Sequence, residues 1–412
     1  MTRPLSTIEQ TLDALTRGEV VIVTDAEDRE NEGDFICAAE KVSPEIVNFM
    51  ITHGRGQLCM PILPDLAAKL ELELMVSRNT APLGTNFTIA VDHVSTRTGI
   101  TAGERAKTIQ AIMDPATKPA DLARPGHLFP LIAKEGGVLR RAGHTEATID
   151  LMKLAGLKPA GVLIEILDDN GDRAPRAKLD QLAEQYQLQM ISIEELIRYR
   201  RRAENLVYRK AEANLPTKYG MGRIIVYGVK YEEQEPIAIV LGDVTQVREK
   251  SSLVRLHSSC FTGDLVGSLR CDCGDQLHMA MERMKEEGRG VLVYLPQEGR
   301  GIGLAEKIRA YALQEEGLDT VDANIALGHA VDSRDYCVGI QILKDLGLCE
   351  VRLLTNNPKK TDALIYGGFD LKVVEQLPIC GPVNPYNAHY LATKRDRMGH
   401  LLPDDMECTE PT

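Results

Sequence analysis

Three cysteines lie within fourteen residues in the second half of the chain: Cys260, Cys271 and Cys273. Three thiolates leave one position of a tetrahedral zinc free for water, as in catalytic sites, whereas structural zinc sites usually have four protein ligands. The spacing therefore favours a catalytic zinc. Two other interpretations stay open, a closed site completed by His257 or His278 and a set of reduced cysteines that bind no metal.

Three further motifs in this half carry groups that suit a phosphate. The glycine-rich run 297–303 follows a predicted strand and precedes a predicted helix, so its amides either hold an anion or form an ordinary loop. Asp332 and Arg334 are two residues apart, and Asp332 could also cap a helix. Residues 355–360, Thr-Asn-Asn-Pro-Lys-Lys, offer a hydroxyl, amides and two cations, either as a phosphate seat or as a polar turn.

Taken in order, these motifs resemble GTP cyclohydrolase II over residues 205–402. The matching runs are Arg255-Leu256-His257-Ser258, Cys271-Asp272-Cys273-Gly274, Glu298-Gly299-Arg300, Asp332 with Arg334, and residues 355–360. The resemblance implies hydrolytic opening of the imidazole ring of GTP, with loss of formate and pyrophosphate. It also implies one Zn²⁺ on the three cysteines, which would activate water, and Mg²⁺ with the triphosphate.

The resemblance also implies roles for single residues. Arg334 would attack the α-phosphorus with Asp332 as its base, or would only stabilise phosphate charge. Tyr311 would lie near the zinc-bound water, or would pack an amphipathic helix. The GTP-binding residues implied are Arg255, Leu256, His257, Ser258, Ser259, Gln276, Glu298, Gly299, Arg300, Thr320, Thr355 and Lys360.

Two positions depart from the family pattern. Ser259 stands where the family has glutamate, and Pro236 stands where it has histidine. The alternative function for this half is therefore a zinc-containing nucleotide-binding or regulatory module with weak or no cyclohydrolase activity.

In the first half, an acidic run follows the first predicted strand. Residues 25–34 contain six carboxylates in ten residues. Such a group needs a hard divalent cation if it is buried, or it is a solvated loop. Two later segments favour the metal. His127 lies in the turn 124–130, and His144 follows Arg140-Arg141 at a predicted helix start, where an anion binds well.

This combination resembles 3,4-dihydroxy-2-butanone 4-phosphate synthase over residues 5–200, with further matches at 55–61, 79–88 and 99–102. The resemblance implies conversion of D-ribulose 5-phosphate to the butanone phosphate plus formate, with Mg²⁺ or Mn²⁺ held by Glu30 and His144. His127 and Glu165 would transfer protons. Glu165 could instead face outward from its strand, and Cys59 is either an active-site residue or a buried free cysteine. The substrate-binding residues implied are Arg29, Glu30, Asp34, Arg141, Ala142, Gly143, His144, Thr145 and Glu165.

The elements that must position these residues alternate irregularly, which predicts a mixed α/β and α+β fold with two globular domains, each a mixed sheet with flanking helices. A basic stretch at 197–202 and a polar segment at 203–220 place the boundary between domains 1–202 and 203–412. Predicted strands cover 20–23, 57–62, 87–91, 161–167, 223–230, 236–242, 290–295 and 351–354. Predicted helices cover 6–17, 102–113, 145–155, 180–187, 276–286, 304–315 and 334–346.

The bulk composition limits the class of protein. The chain has 412 residues, 26% charged and 43% hydrophobic, which is typical of globular proteins and long enough for two cores. A net charge of −12 argues against nonspecific nucleic-acid binding. No membrane segment is expected, and nine cysteines, an odd number, favour the reducing cytoplasm. Both resemblances imply a homodimer. The combined prediction is a bifunctional riboflavin-biosynthesis enzyme.

Overall fold

The structure, a computed structural model, describes residues 3–26, 29–245, 250–329, 331–366 and 370–402. The chain divides into two compact units, Met1–Arg200 and Arg201–Thr412. The division predicted from the sequence lies two residues further along the chain, after residue 202. Within the described ranges, no helix is both long enough and apolar enough to cross a lipid bilayer.

Unit 1 is built on a seven-stranded mixed sheet with the strand order β4-β5-β3-β6-β2-β1-β7. Strands β1 and β7 are parallel, as are β3 and β5, and the other neighbours are antiparallel. The strands are β1 (Val21–Thr24), β2 (Gly33–Ala38), β3 (Cys59–Ile62), β4 (Val91–His93), β5 (Leu122–Ile132), β6 (Gly161–Glu165) and β7 (Met190–Ser192).

Helices cover both faces of this sheet. Successive side chains of a strand point to opposite faces, and in β1 Ile22 belongs to one apolar core while Val21 and Val23 belong to another. The α-helices that begin in unit 1 are α1 (Ile8–Thr16), α2 (Pro44–His53), α3 (Pro64–Lys69), α4 (Ala102–Met113), α5 (His144–Leu154), α6 (Arg176–Gln185) and α7 (Ile193–Ala203). The sheet is therefore a buried frame, and polar groups on it must find partners inside the protein.

Unit 2 also has a seven-stranded mixed sheet, in the order β14-β13-β11-β12-β10-β9-β8. Strands β14, β13, β11 and β12 are mutually parallel, and β12, β10, β9 and β8 follow as antiparallel neighbours. The strands are β8 (Val207–Thr217), β9 (Gly220–Val229), β10 (Ile237–Leu241), β11 (Ser252–Ser258), β12 (Gly290–Leu295), β13 (Glu350–Leu354) and β14 (Lys372–Leu377).

Two apolar cores lie on the two faces of this second sheet. Helix α11 contributes Ile340 to one core, and α8 contributes Met284 to the other. The α-helices of unit 2 are α8 (Cys273–Glu286), α9 (Leu304–Glu315), α10 (Thr320–Ala326), α11 (Cys337–Asp345), α12 (Pro358–Tyr366) and α13 (Ala388–Met398).

The predicted fold class, two mixed α/β domains, is confirmed, but several predicted elements were wrong or displaced. Residues 87–91 do not form a strand, since only isolated bridges and the start of β4 lie there. The polar segment 203–220 contains β8, an eleven-residue strand whose side chains are mostly exposed. It carries no apolar alternation because side chains on both of its faces are exposed, whereas a strand solvated on one face only would alternate. Helix α11 begins at Cys337, so Asp332 does not cap it.

Packing on α11 gives a stability prediction. Ile340 is fully buried, so Ile340→Ala should destabilise unit 2 by about 2–5 kcal/mol, through lost transfer energy and the cavity left behind. Amide hydrogen exchange in β11 and β12, followed by mass spectrometry, measures this loss. Ile325→Ala is the matched control, because Ile325 is 55% exposed and its truncation should change stability by no more than about 0.5 kcal/mol. Equal protection in the two variants would contradict the prediction.

Candidate active sites

A cavity that is partly open to solvent, with about 1080 Å³ of empty space in all, lies in unit 2 at the carboxyl ends of parallel strands. Cys260 follows β11, Gln297 follows β12 and Thr355 follows β13, and all three residues line the cavity. Neighbouring parallel strands end at the same edge of a sheet, which is where ligands bind in open α/β folds. The topology thus brings the three sequence motifs to one place.

The three cysteines form a compact group beside this cavity. Their sulfur atoms all lie within 4.8 Å of one another, with 3.7 Å between Cys260 and Cys271. Gly263 makes this approach possible, since a Cβ atom there would lie 2.9 Å from the Cys271 sulfur and 3.1 Å from that of Cys260. A group of sulfurs with a cradle free of side chains fits a tetrahedral thiophilic metal ion such as zinc.

Neither histidine suggested from the sequence completes a closed site. His257 Nε2 lies 3.0 and 3.1 Å from the two carboxylate oxygens of Asp264, and His278 Nδ1 lies 2.7 Å from the hydroxyl of Tyr219. Among the described residues, the possible metal ligands at this cavity are the three cysteines and no histidine. The arrangement therefore favours a site with one position left for another ligand.

Hydrogen bonds among the three cysteines shift the pKa values of their thiols in opposite directions. Hydrogen bonds from Cys271 and Cys273 lower the pKa of Cys260, and Lys307 adds to the effect. The hydrogen bond to Cys260 raises the pKa of Cys271 to about 11. A thiolate at one sulfur thus disfavours thiolates at the other two. Because a metal takes thiolates, its binding would release protons.

Lys307 connects the cysteines to the glycine-rich turn. Its ammonium group lies 3.1 Å from the sulfur of Cys260, 2.9 Å from the hydroxyl of Thr262 and 2.7 Å from the carboxylate of Glu298. Burial opposes its charge, but the contacts with Glu298 and Cys260 raise the pKa of Lys307. The sequence prediction missed this residue, although it lies one helical turn before Tyr311. The hydroxyl of Tyr311 is 3.4 Å from that of Thr262.

The turn itself has the backbone of an anion-binding loop. Gly299 and Arg300 both have positive φ, 61° and 63°, which is uncommon for arginine and so marks a constrained loop. The carbonyl of Arg300 accepts a hydrogen bond of 3.1 Å from the amide of Ser333, which ties the turn to the loop that carries Asp332 and Arg334.

Asp332 and Arg334 form a two-pronged ion pair. Arg334 Nε lies 2.8 Å from one carboxylate oxygen of Asp332, and Nη2 lies 2.6 Å from the other. Burial opposes both charges, yet the contact with Arg334 lowers the pKa of Asp332, and the contact with Asp332 raises that of Arg334. The guanidinium is therefore held in its charged form and in a fixed orientation.

Buried polar atoms without partners are concentrated at this cavity. Among the described residues, Arg255 Nε, Arg300 Nη2, Asn324 Nδ2 and His257 Nδ1 are buried and lack a hydrogen-bond partner, and all four residues line the cavity. Buried polar groups are normally hydrogen-bonded, so a bound ligand or ordered water would supply the partners that these atoms lack. Lys360 is buried as well, and burial with the nearby Arg255 and Arg334 lowers its pKa. An anion is the ligand that offsets this charge.

The structure brings most of the predicted nucleotide residues together. The cavity is lined by Arg255, His257, Ser258, Ser259, Gln276, Glu298, Gly299, Arg300, Thr320, Thr355 and Lys360, and also by Tyr311 and Arg334. Leu256 is the exception, because its side chain lies in the apolar core and only its carbonyl is used, accepting from Lys360 at 2.7 Å. Cavity residues that the sequence prediction missed include Lys307, Asn324, Tyr390, Lys394 and His400.

In unit 1, a second group of metal-binding type joins Glu32, Asp34 and His144, whose ligand atoms lie within 4.8 Å of one another. His144 Nε2 donates to the carbonyl of Val23 at 3.1 Å, which leaves the Nδ1 lone pair toward the two carboxylates. Burial lowers the pKa of His144 to about 4, so its neutral, metal-binding form dominates.

The two carboxyl groups are held close together at a cost in free energy. Burial raises the pKa of Glu32 to about 8, with the adjacent Glu30 adding to the effect. Burial and the carboxylates of Glu165, Glu32 and Glu30 raise the pKa of Asp34, whose Oδ1 has no partner among the described residues. A divalent cation would remove this repulsion, so the donor set fits Mg²⁺ or Mn²⁺.

Glu30, predicted as the ligand beside His144, lies outside this three-residue group. Its carboxylate pairs with Arg29 and lies beside Glu32. Asp25 shapes the loop by accepting hydrogen bonds from the amides of Glu30 and Glu32 at 3.0 and 2.9 Å, and its carboxylate pairs with Arg29 at 2.8 Å. Glu27 and Asp28, part of the predicted acidic run, lie outside the described residues.

Strand register places further predicted residues next to this group. Glu165 ends β6 directly opposite Asp34 of β2, and its carboxylate accepts from the amide of Gln57 at 2.7 Å. Cys59 on β3 pairs with Leu163 of β6 and is buried. Burial, with Glu165 and Asp34 nearby, raises the pKa of the Cys59 thiol, so this group stays protonated.

His127, on β5, has a partner that the sequence did not suggest. Its Nδ1 lies 2.7 Å from Asp92 Oδ2, and its amide donates to Asp92 Oδ1 at 3.0 Å. Gly126 permits this contact, because a Cβ there would lie 2.1 Å from the carbonyl carbon of Val91. The imidazole is 44% exposed, so Nε2 can reach a ligand while the carboxylate fixes the ring.

The predicted phosphate seat lies at the start of α5. Thr145 is buried in the first turn, after Gly143 as N-cap. Arg141 lies beside it, but its guanidinium already donates to Glu146, Thr85 and the carbonyl of Leu83, at 2.6, 2.7 and 3.1 Å. Ala142 is partly buried at the edge of a core. Arg141 therefore stabilises the loop. The first amides of α5 have no partner within the helix and no side-chain cap at Gly143, which suits an anion.

These two sites define a class of protein: a two-domain enzyme with a metal-binding group and an anion seat in each domain. Comparisons with known proteins agree. The family model of 3,4-dihydroxy-2-butanone 4-phosphate synthase matches residues 9–199, and that of GTP cyclohydrolase II matches residues 208–378. The chain belongs to the family of bifunctional riboflavin biosynthesis proteins that join these two domains.

Individual relatives cover nearly the whole chain. The riboflavin biosynthesis protein RibBA of Bacillus cereus is 56% identical, over 96% of this chain and 98% of its own length. That of Bacillus cytotoxicus is 53% identical, with the same coverage. A crystal structure of RibBX, a two-domain 3,4-dihydroxy-2-butanone 4-phosphate synthase from A. baumannii, has 36% identity and a TM-score of 0.68, and covers 90% of this chain and 99% of its own. The chain is accordingly both a lyase and a hydrolase, and the alternative of a non-catalytic second half is not favoured.

Asp34 gives a prediction that separates metal binding from folding. Asp34→Asn removes a buried carboxyl group from an acidic cluster, so in EDTA the thermal midpoint of unit 1 should rise by about 2–4 °C, the effect of roughly 1 kcal/mol. Adding Mg²⁺ or Mn²⁺ should raise the midpoint of the wild type, by mass action, and not that of the variant. Differential scanning calorimetry with and without metal measures both effects.

The matched control is Glu40→Gln, which removes an exposed carboxylate of the same unit. It should respond to metal as the wild type does. A metal-dependent increase in Asp34→Asn equal to that of the wild type would show that Asp34 is not a ligand.

Proposed function

We propose that unit 2 binds GTP in the cavity at the ends of β11, β12 and β13 and opens its imidazole ring, releasing formate and pyrophosphate. The observation that carries the proposal is the conjunction of three clustered sulfurs with unpaired buried donors in one cavity. The cationic side chains Arg255, Arg300 and Lys360 would hold the phosphates. Arg255 and Lys360 are buried, Arg300 is half-buried, and within the described part of the chain none of them forms an ion pair with a carboxylate, so each would gain from a polyanion.

Cys260, Cys271 and Cys273 would hold one Zn²⁺, which when bound supplies a Lewis acid and an activated water. Lys307 would keep Cys260 ionised through its hydrogen bond and would hold Glu298 in place. Glu298 accepts from the amide of Phe261 at 2.6 Å, directly after Cys260. A carboxylate is therefore present beside the first cysteine, although residue 259 is serine where the family has glutamate.

For the phosphate step, we propose that Asp332 accepts a proton from Arg334 and that the freed nitrogen attacks the α-phosphorus and expels pyrophosphate. Water would then cleave the phosphorus–nitrogen bond. The two-pronged contact supports this assignment because the carboxylate lies within hydrogen-bond distance of two guanidinium nitrogens. The raised pKa of Arg334 opposes proton loss in the free enzyme, which also suits a purely electrostatic role. Trapping of a phosphoguanidine adduct by rapid quench distinguishes the two roles. Tyr311 would orient the water near the sulfurs.

In unit 1, we propose that D-ribulose 5-phosphate binds at Glu32, Asp34 and His144 with its phosphate at the start of α5, and is converted to 3,4-dihydroxy-2-butanone 4-phosphate and formate. Mg²⁺ or Mn²⁺ held by these residues, with Glu30 adjacent, would stabilise enediolate charge. Glu165 and His127 would move protons, since Asp92 holds the imidazole in one tautomer. Arg29 and Arg141 would shape the loops around the substrate.

The two units would supply the two precursors of a later joining reaction, so no transfer of product between them is required. A homodimer is expected from the resemblance to both families. Light scattering of the purified chain tests this expectation.

Substitution at the sulfurs should separate the two activities. Cys271→Ser removes one thiolate ligand, so zinc content measured by plasma emission should fall, and release of formate and pyrophosphate from GTP should drop to background. Turnover of D-ribulose 5-phosphate should be unchanged. Retained pyrophosphate release by a zinc-free variant would contradict the proposed role of the cysteines.

The reciprocal variant is His127→Asn. Loss of the imidazole should lower turnover of D-ribulose 5-phosphate by about 100-fold or more, the usual contribution of general acid–base catalysis. GTP hydrolysis should be unaffected. Circular dichroism checks the fold, and wild-type synthase activity in this variant would show that His127 transfers no essential proton.

A further inference from the structure

The end of the described chain forms one wall of the nucleotide cavity. Tyr390, Lys394, Met398 and His400 line it, and all four lie beyond residue 378, where the match to the cyclohydrolase family model ends. Helix α13 and residues 399–402 are thus part of the cavity, although they lie outside the family match.

Two ion pairs and one hydrogen bond join this segment to parts of the chain that carry residues of the proposed site. Lys394 pairs at 2.8 Å with Asp272, a fully buried residue between two of the cysteines. The amide of Leu401 donates to the carbonyl of Asn356 at 2.9 Å, beside the predicted phosphate seat. Arg397 pairs with Asp322 at 2.9 Å on α10, the helix that begins at Thr320. The wall is therefore held in place by specific contacts.

The charges around His400 indicate which part of the ligand it meets. The four largest charge effects on its imidazole come from cations: Lys394, Arg334, Arg300 and Lys360. Burial, with these cations, lowers the pKa of His400 to about 3. A neutral imidazole still provides one N–H donor. Lys394 and Arg334 are already paired with Asp272 and Asp332, so Arg300 and Lys360, beside the neutral donor, are the cations left to meet phosphate.

Tyr390 adds a flat apolar surface on the same wall. Its ring lies 4.3 Å from the ammonium of Lys394 and 6.0 Å from the guanidinium carbon of Arg300. The ring thus packs against two of the cations and limits their orientations.

We propose that residues 388–402 are a nucleotide-contacting wall of the cyclohydrolase site and that His400 donates a hydrogen bond to the phosphate groups of the bound nucleotide. The proposal rests on the proposed GTP hydrolysis in unit 2. It adds substrate contacts from a segment beyond the family match.

Steady-state kinetics of the full chain tests the proposal. His400→Ala should raise KM for GTP about tenfold, the loss of one hydrogen bond to a charged group, with little change in kcat. Inhibition by pyrophosphate should weaken by a similar factor. His400→Gln keeps a donor and should recover most of the affinity. His389→Ala is the matched control, because His389 is exposed on α13, the helix that precedes His400, and is not among the cavity residues.

The outcomes are distinct. An unchanged KM in His400→Ala overturns the proposal, and a raised KM with unchanged pyrophosphate inhibition overturns the assignment to the phosphates. Synthase activity and zinc content equal to those of the wild type show that the variant is folded. Wild-type chain that releases no formate from GTP would instead overturn the proposed function itself.

A binding measurement free of turnover is also possible, because the chain contains no tryptophan. Met398→Trp places a fluorophore on the wall, and Tyr386→Trp places one at a position that is 66% exposed and not among the cavity residues. Adding pyrophosphate or a non-hydrolysable GTP analogue should change the emission of the first variant and not that of the second. Equal responses would count against a ligand-contacting wall.

Discussion

Both units hold acidic groups, each of which becomes negatively charged on losing its proton, close together and away from water. In unit 2 these groups are three cysteine sulfurs, and in unit 1 they are carboxylates beside a neutral histidine. Each cluster raises the pKa of some of its own members, because deprotonating all of them would place negative charges side by side. A bound cation would offset that repulsion. The surrounding sheets must supply the free energy that keeps such groups together, and an apolar core lies on each face of each sheet.

In unit 2 the metal-binding group and the anion-binding groups form one network. Lys307 contacts both Cys260 and Glu298, and the backbone of Arg300 is bonded to the loop that carries Arg334. Direct contacts therefore link the sulfurs to the residues that would hold phosphate. In unit 1 the register of β2 against β6 brings the acidic groups together, because it places Asp34 opposite Glu165. Contacts of this kind hold the reacting groups in a fixed geometry relative to one another, which is what orients a bound substrate.

The sequence predicted the cysteine group, the cavity motifs and the fold class because these depend on short spacings and on local patterns. It did not predict the partners that meet only through the fold. Asp92 lies 35 residues before His127, and Asp272 lies 122 residues before Lys394. The same reason explains Glu32, since the folded loop, rather than its composition, decides which of several acids faces His144. Strand β8 was missed because exposed strands lack apolar alternation.

Strand β8 has a consequence for the behaviour of the chain at high concentration. It is eleven residues long, lies at the end of its sheet, and pairs within the described part of the chain only with β9. Long edge strands are templates for association with other chains, and charged side chains are a common protection. Here Arg209, Lys210 and Glu212 lie in close succession and form ion pairs within the unit. Pairing another strand with this edge would bury these charges, which disfavours aggregation through β8. The strands that end at the cavity, β11, β12 and β13, lie in the other half of the sheet.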